Sequence, residues 1–99
     1  MEIISLNSLG SIEIKRKLLN IIRKVIEKNT WTQAHAAERL GIDQPKVSQI
    51  KNGKIDGFSL ERLLVFLKKL NHKVTITIVE EQDLEPEEKK AKQEAERQL

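Results

Sequence analysis

The chain lacks cysteine and tyrosine, and its only aromatic residues are Trp31, Phe58 and Phe66. Without cysteine, neither a disulfide framework nor a thiolate metal site can form, which favours a reducing compartment, by default the cytoplasm. Few aromatics and no glycine–aromatic signature argue against an RNA-binding surface that stacks bases. No run approaches the roughly 18 apolar residues of a membrane span, and no leader-like segment opens the chain, so we expect a soluble, unexported protein without a membrane partner.

Residue patterns for catalysis or metal binding are also missing. The two histidines, His35 and His72, are 37 positions apart, and no carboxylates cluster around either. The sequence contains no Ser-His-Asp grouping, glycine-rich phosphate loop or paired-carboxylate signature. We therefore predict a protein that is not an enzyme and that uses no metal or cofactor.

Charge is divided unevenly along the chain. Residues 1–79 carry 14 Lys and Arg against 7 Asp and Glu, a net charge of +7, whereas residues 80–99 carry 4 against 8, a net charge of −4. A basic body is typical of proteins that bind a polyanion, although many solvated surfaces are basic without one. We expect one small domain, residues 1–79, followed by a charged tail, residues 80–99, that is a frayed helix or disordered.

Apolar spacing and capping signals predict helices through most of the domain. Apolar residues recur at steps of three and four over residues 11–29, which indicates an amphipathic helix. A leucine stripe over residues 60–71, preceded by Phe58 and the N-cap candidate Ser59, predicts another. Two short helices lie between them.

These short helices form one recognisable unit. Thr32 and Asp43 can cap their N-termini, Gly41 supplies the left-handed stop between them, and the second ends at Asn52-Gly53. Two short helices joined around a glycine are the architecture of the helix-turn-helix, whose second helix enters the major groove of DNA.

The second short helix has one apolar and one polar face. Ile42, Val47 and Ile50 are placed to hold it against the core, and Ala37 is placed where the two helices touch. The outward residues are Gln44, Lys46, Ser48, Gln49 and Lys51. Gln pairs with adenine edges, Lys donates to guanine, and Ser, Asn and Lys donate to phosphates. The N-terminal turn also presents free N–H groups and positive dipole to a phosphate, so we expect this face to meet DNA.

The resemblance to a known family is carried by TQAHAAERLGIDQPKVSQIKNGKIDGFSLERLLVFLKKL. Residues 15–79 resemble the Cro/C1-type (XRE) helix-turn-helix family, and in particular its HigA-type antitoxin branch. The resemblance implies a small dimeric DNA-binding protein that represses its own operon and, in that branch, neutralises a cognate ribonuclease toxin. It implies base contacts by Gln44, Lys46 and Gln49. The other residues that it implies at or near the DNA are Gln33, Pro45, Ser48, Lys51, Asn52 and Lys54.

Residues 73–79 change to a period of two, in β-branched residue types typical of a strand. A single strand leaves its backbone groups unpaired, so we predict that two copies of segment 72–79 pair antiparallel across a homodimer. The predicted dimerisation residues are Val74, Thr75, Ile76, Thr77 and Ile78. The alternative is a monomer whose strand folds back, for instance against residues 2–6. The predicted fold is mainly α, a four- to five-helix Cro/C1-like domain with one C-terminal β-strand.

Two other functions are alternatives to that of an antitoxin that regulates its own operon. One is a stand-alone XRE-type regulator without a toxin. The other is a protein-interaction module whose basic face binds an acidic partner and does not read DNA. Salt dependence and preference for one operator distinguish the last from a sequence-specific binder.

Overall fold

The computed structural model of the chain describes residues 1–7 and 9–80. This part contains four α-helices: α1 (Ser11–Lys28), α2 (Gln33–Leu40), α3 (Gln44–Lys51) and α4 (Leu60–Lys69). All four lie in one compact unit, Gly10–Val74, and the described residues outside this range, 1–7, 9 and 75–80, do not belong to it. The prediction of a mainly α fold is confirmed, with four helices in the described part of the chain.

Helices α2, α3 and α4 begin where the sequence predicts. Their N-cap residues are Thr32, Asp43 and Ser59, and each side-chain oxygen accepts a hydrogen bond from the backbone N–H three residues ahead, at 3.1, 2.9 and 3.1 Å. Such a cap stabilises a helix by about 1 kcal/mol, because it satisfies an N–H group that helix geometry leaves free. Helices α2 and α3 have only eight residues each, too short to persist alone, so caps and packing define them.

All four helices end in the same backbone arrangement. A residue in the left-handed conformation follows each one: Thr30 (φ 51°), Gly41 (φ 70°), Gly53 (φ 71°) and Asn71 (φ 61°). The N–H of the next residue then donates to the carbonyl five positions back, at 3.2, 3.0, 3.0 and 2.9 Å. This is the Schellman arrangement, which satisfies a terminal carbonyl. Glycine and asparagine adopt it readily, whereas the β-branched Thr30 is strained there.

One apolar core joins the helices. Helix α1 packs against α4 and α3, and α2 packs against α3. The fully buried side chains at its centre are Leu19, Ile22, Leu40, Val47, Ile50 and Leu63. Each such side chain contributes about 1.5–3 kcal/mol relative to exposure. No polar or charged side chain is buried in the described residues, so their polar groups all remain near the surface.

Two phenylalanines close the core at the start of α4. The Phe58 and Phe66 rings meet edge to face, with centroids 5.9 Å apart and planes at 74°. The Arg62 guanidinium lies over both rings, 5.7 Å from the first centroid and 5.5 Å from the second. The arrangement adds aromatic and cation–π attraction to the area that both rings bury, and it fixes the loop between α3 and α4 on the core.

The predicted strand is absent from this structure: residues 73–80 form no strand, and neither do residues 1–7. Val74, Ile76 and Ile78 are 38%, 67% and 90% exposed. The physical reason lies in how a strand is defined, since it exists only through ladder hydrogen bonds to a neighbour, and the described part of this single chain offers none. Pairing across a dimer stays a prediction. The predicted frayed or disordered tail lies, apart from Glu80, outside the described residues.

Candidate nucleic-acid interface

The turn between α2 and α3 is held by a single carbonyl. The oxygen of Ala37 accepts hydrogen bonds from the N–H groups of Gly41, at 2.8 Å, and Ile42, at 3.0 Å. Gly41 has φ 70° and ψ 37°, a conformation that costs glycine nothing and other residues about 1–2 kcal/mol. The Ala37 side chain is 8% exposed, as expected for a close helix contact. These contacts fix the direction in which α3 leaves α2.

A contact across the chain supports the same turn. Lys69 of α4 donates from Nζ to the carbonyl of Leu40, the last residue of α2, at 3.1 Å. A lysine at this position satisfies a free carbonyl and complements the negative end of the helix dipole. This role could not be predicted from the sequence, because the two residues are 29 positions apart and no local pattern links them.

Helix α3 turns its apolar side inward and its polar side outward. Val47 and Ile50 are fully buried, and Ile42 before the helix is half-buried, as the sequence predicts. The predicted interface residues that are exposed are Gln33, Gln44, Pro45, Asn52 and Lys54. Those that are half-buried are Lys46, Ser48, Gln49 and Lys51. All nine sites are therefore at least partly accessible to solvent.

The two glutamines of α3 differ in their freedom. Gln44 is exposed at the start of the helix. Gln49 is half-buried, and its Oε1 lies 2.9 Å from the point that a Cβ would occupy on Gly57 in the loop before α4. The absence of a side chain at Gly57 thus leaves room for the Gln49 amide. The Gln49 side chain thus lies beside that loop, whereas the Gln44 side chain is exposed to solvent.

The first turn of α3 has fewer free donors than the sequence suggests. The N–H of Lys46 is taken by the Asp43 carboxylate, and the N–H of Val47 donates to the Asp43 carbonyl at 3.3 Å. Pro45 has no N–H. Among the described residues, only the N–H of Gln44 in this turn is left without an acceptor. The expectation of free N–H groups at this end was therefore too generous: one is free, that of Gln44, and it lies next to the Asp43 carboxylate.

The opposite end of α3 is rich in donors. Asn52 donates from Nδ2 to Ser48 Oγ at 3.4 Å, a long bond that a stronger acceptor can replace. Lys51 is half-buried and Lys54 is exposed. Arg23 reaches this end from α1, a contribution that could not be predicted from the sequence because it depends on how α1 crosses α3. An acceptor-only ligand such as phosphate matches this chemistry.

Trp31 is engaged by side chains of α2. Its ring meets the His35 ring edge to face, with centroids 5.1 Å apart, and the Arg39 guanidinium lies 4.8 Å from its centre. The half-buried indole before the helix cap thus packs against two side chains of α2. His35 is exposed, and its backbone N–H serves the Thr32 cap.

The described residues contain neither a candidate metal cluster nor a candidate membrane span. Residues 1–7 and 9–80 contain no group of three or more His, Asp or Glu side chains arranged to hold a metal ion. No helix in that part combines the length and the apolar character needed to cross a membrane.

Comparisons with known proteins agree with the geometry. Residues 4–79 match a family model described as a helix-turn-helix domain. A solved structure assigned by name to the XRE family of transcriptional regulators shares 40% sequence identity and superposes with a TM-score of 0.70, covering 76% of this chain and 84% of that one. No curated protein matches the sequence. The chain belongs to the XRE family of helix-turn-helix proteins.

Proposed function

We propose that this protein is a sequence-specific DNA-binding transcriptional repressor that binds as a homodimer to an operator of its own gene. The observation that carries the proposal is the arrangement of α3. Val47 and Ile50 anchor one face in the core, while the opposite face presents amide, amine and hydroxyl groups without burying them. An eight-residue helix held on one side is about 12 Å long and fits the major groove. Membership of the XRE family supports a role in transcription regulation.

Within α3, exposure favours Gln44 as the main base-reading residue. Its carboxamide combines a donor and an acceptor, which matches the N6 and N7 edge of adenine. Lys46 on the next part of the turn suits guanine or a phosphate, and Gln49 reads a base from a position set by Gly57. Gln33, at the exposed start of α2, is placed to contact the backbone, as are the donors at the end of α3.

The homodimer proposal rests on residues 73–79. Their alternating β-branched pattern and their exposure leave both apolar side chains and backbone groups without partners among the described residues. A second copy of the chain, paired in an antiparallel ladder, supplies partners for both the side chains and the backbone groups. One recognition helix reads only a few base pairs, so a twofold dimer that places two helices about 34 Å apart explains operator-level affinity.

The antitoxin role is a further proposal, supported by the resemblance of residues 15–79 to the HigA-type branch. In that role the protein binds and inhibits a ribonuclease toxin encoded beside it. Co-expression with the neighbouring reading frame, followed by purification through a tag on this chain, tests the role. A ribonuclease that copurifies and is inhibited supports it, and a neighbour that neither binds nor cleaves RNA leaves a stand-alone regulator.

DNA binding itself is tested by fluorescence anisotropy. The probes are a duplex from upstream of the gene, tiled in overlapping pieces, and a shuffled duplex of the same composition. We expect one piece to bind at least about a thousandfold more tightly than the shuffled duplex, with both affinities falling steeply as salt rises. Equal affinities for all duplexes would indicate a basic module that does not read sequence.

A further inference from the structure

Arg23 of α1 lies against the turn that ends α3. Its Nη1 is 3.5 Å from the point that a Cβ would occupy on Gly53, and its Nη2 is 3.8 Å from Oε1 of Glu27, one turn further along α1. The side chain is 36% exposed. The guanidinium therefore lies beside the turn that ends α3 and is partly open to solvent.

The turn under the guanidinium is itself rigid. The N–H groups of Asn52, Gly53 and Lys54 donate to the carbonyls of Ser48, Ile50 and Gln49, each at 3.0 Å. The exposed donors of this turn, the Asn52 amide and the Lys54 amine, flank Gly53 on both sides. Arg23 thus adds a third donor group from another helix at the same end of α3.

Arg23 has spare hydrogen-bonding capacity. Guanidinium carries five N–H donors in a planar fork. Among the described residues its one ionic partner is Glu27, at a separation too long for a hydrogen bond and with a carboxylate that is 62% exposed. Such an exposed pair within one helix is weak and yields to a better acceptor. A phosphate offers that acceptor in a geometry that matches the fork.

We propose that Arg23 is a DNA-binding residue that contacts a backbone phosphate next to the one held by Asn52 and Lys54. The inference rests on the proposed function and extends the interface from the two short helices to α1. Arg23 carries no base specificity in this role, and DNA binding replaces its weak pair with Glu27.

The test compares Arg23→Gln with Lys24→Gln. Each variant loses one positive charge from α1, but Lys24 is exposed on the neighbouring position, about 100° around the helix, and has no ion pair among the described residues. Loss of one phosphate contact reduces the steepness of the plot of log affinity against log salt by about 0.9. This corresponds to an affinity about fivefold lower at 0.15 M salt, or about 25-fold lower when both protomers of a dimer lose the contact. We expect this loss for Arg23→Gln on operator and shuffled duplex alike, and a slope close to that of the wild type for Lys24→Gln.

Ethylation interference on the operator gives an independent readout. In each half-site, ethylation of one phosphate should weaken binding of the wild type but not of Arg23→Gln. The phosphate whose interference is lost with Lys54→Gln should be adjacent to it. Arg23→Lys retains the charge and should restore part of the slope, which separates a contact from a folding defect. If the wild type binds the operator but Arg23→Gln and Lys24→Gln have equal salt slopes, the inference about Arg23 is overturned and the proposed function is not. A wild type that binds no duplex would overturn both this inference and the proposed function.

Discussion

Replacing Ala37 with leucine tests the packing of the two helices that carry the proposed interface. The alanine methyl is 8% exposed, and the carbonyl of the same residue accepts two hydrogen bonds at 2.8 and 3.0 Å. Leucine adds three carbon atoms where the neighbouring helix already encloses the methyl group. The backbone has little room to retreat, because its movement would lengthen the bonds that hold the turn. Overpacking of this kind costs about 1–3 kcal/mol.

Ala34→Leu is the matched control, because it makes the same change on an exposed position of α2. Surface substitutions usually change stability by less than about 0.5 kcal/mol. For a domain of this size each kcal/mol lowers the melting temperature by about 4–8 °C, so a loss of about 2 kcal/mol lowers it by about 8–16 °C. Thermal melts by circular dichroism measure the difference, and anisotropy below both transitions measures DNA binding. Equal melting temperatures for the two variants would show that α2 and α3 do not meet at Ala37.

Three further tests address the proposed interface, the proposed dimer and a strained turn. Gln44→Ala should cost about 1–3 kcal/mol on the operator and relax preference at one base pair, whereas Lys54→Ala should weaken all duplexes alike; equal losses for Gln44→Ala on operator and shuffled DNA would contradict its role. Thr75→Pro removes a ladder donor, so sedimentation should show monomers with helical circular dichroism intact; a wild type that sediments as one chain, free and on DNA, would refute the dimer. Thr30→Gly removes left-handed strain and should raise stability by about 1 kcal/mol in denaturant titration, and an unchanged midpoint would argue against the strain.

Structural features that depend only on residues close together in the sequence could be predicted from it. A cap needs only a short polar side chain and the N–H three residues ahead, so Thr32, Asp43 and Ser59 are recognisable without tertiary information. Gly41 is recognisable because few residues tolerate its backbone conformation. Thr30 adopts a similar conformation but was not predicted to, since sequence reasoning expects glycine there.

Contacts between distant residues could not be predicted in this way. Lys69 reaches Leu40, Arg23 reaches the turn at Gly53, and these pairings depend on how complete helices cross. The lysine and the arginine look like ordinary members of a charged helix face when only spacing is considered. The strand predicted at residues 73–79 illustrates a different difficulty. Its pattern is local and clear, but a strand forms only through hydrogen bonds to a neighbouring strand, and the described residues supply none.

The two ends of α3 offer different chemistry to DNA. At its start, Asp43 occupies a backbone donor and adds a negative charge, so the dipole there attracts a phosphate poorly, while the exposed Gln44 amide can distinguish base edges. At its end, Lys54 and Arg23 bring positive charge from two elements to a rigid turn. Attraction to phosphates grows with the number of such charges and carries no sequence information. In the proposed complex, sequence choice therefore resides mainly at the start of α3 and backbone affinity at its end, so that each can change by substitution without the other.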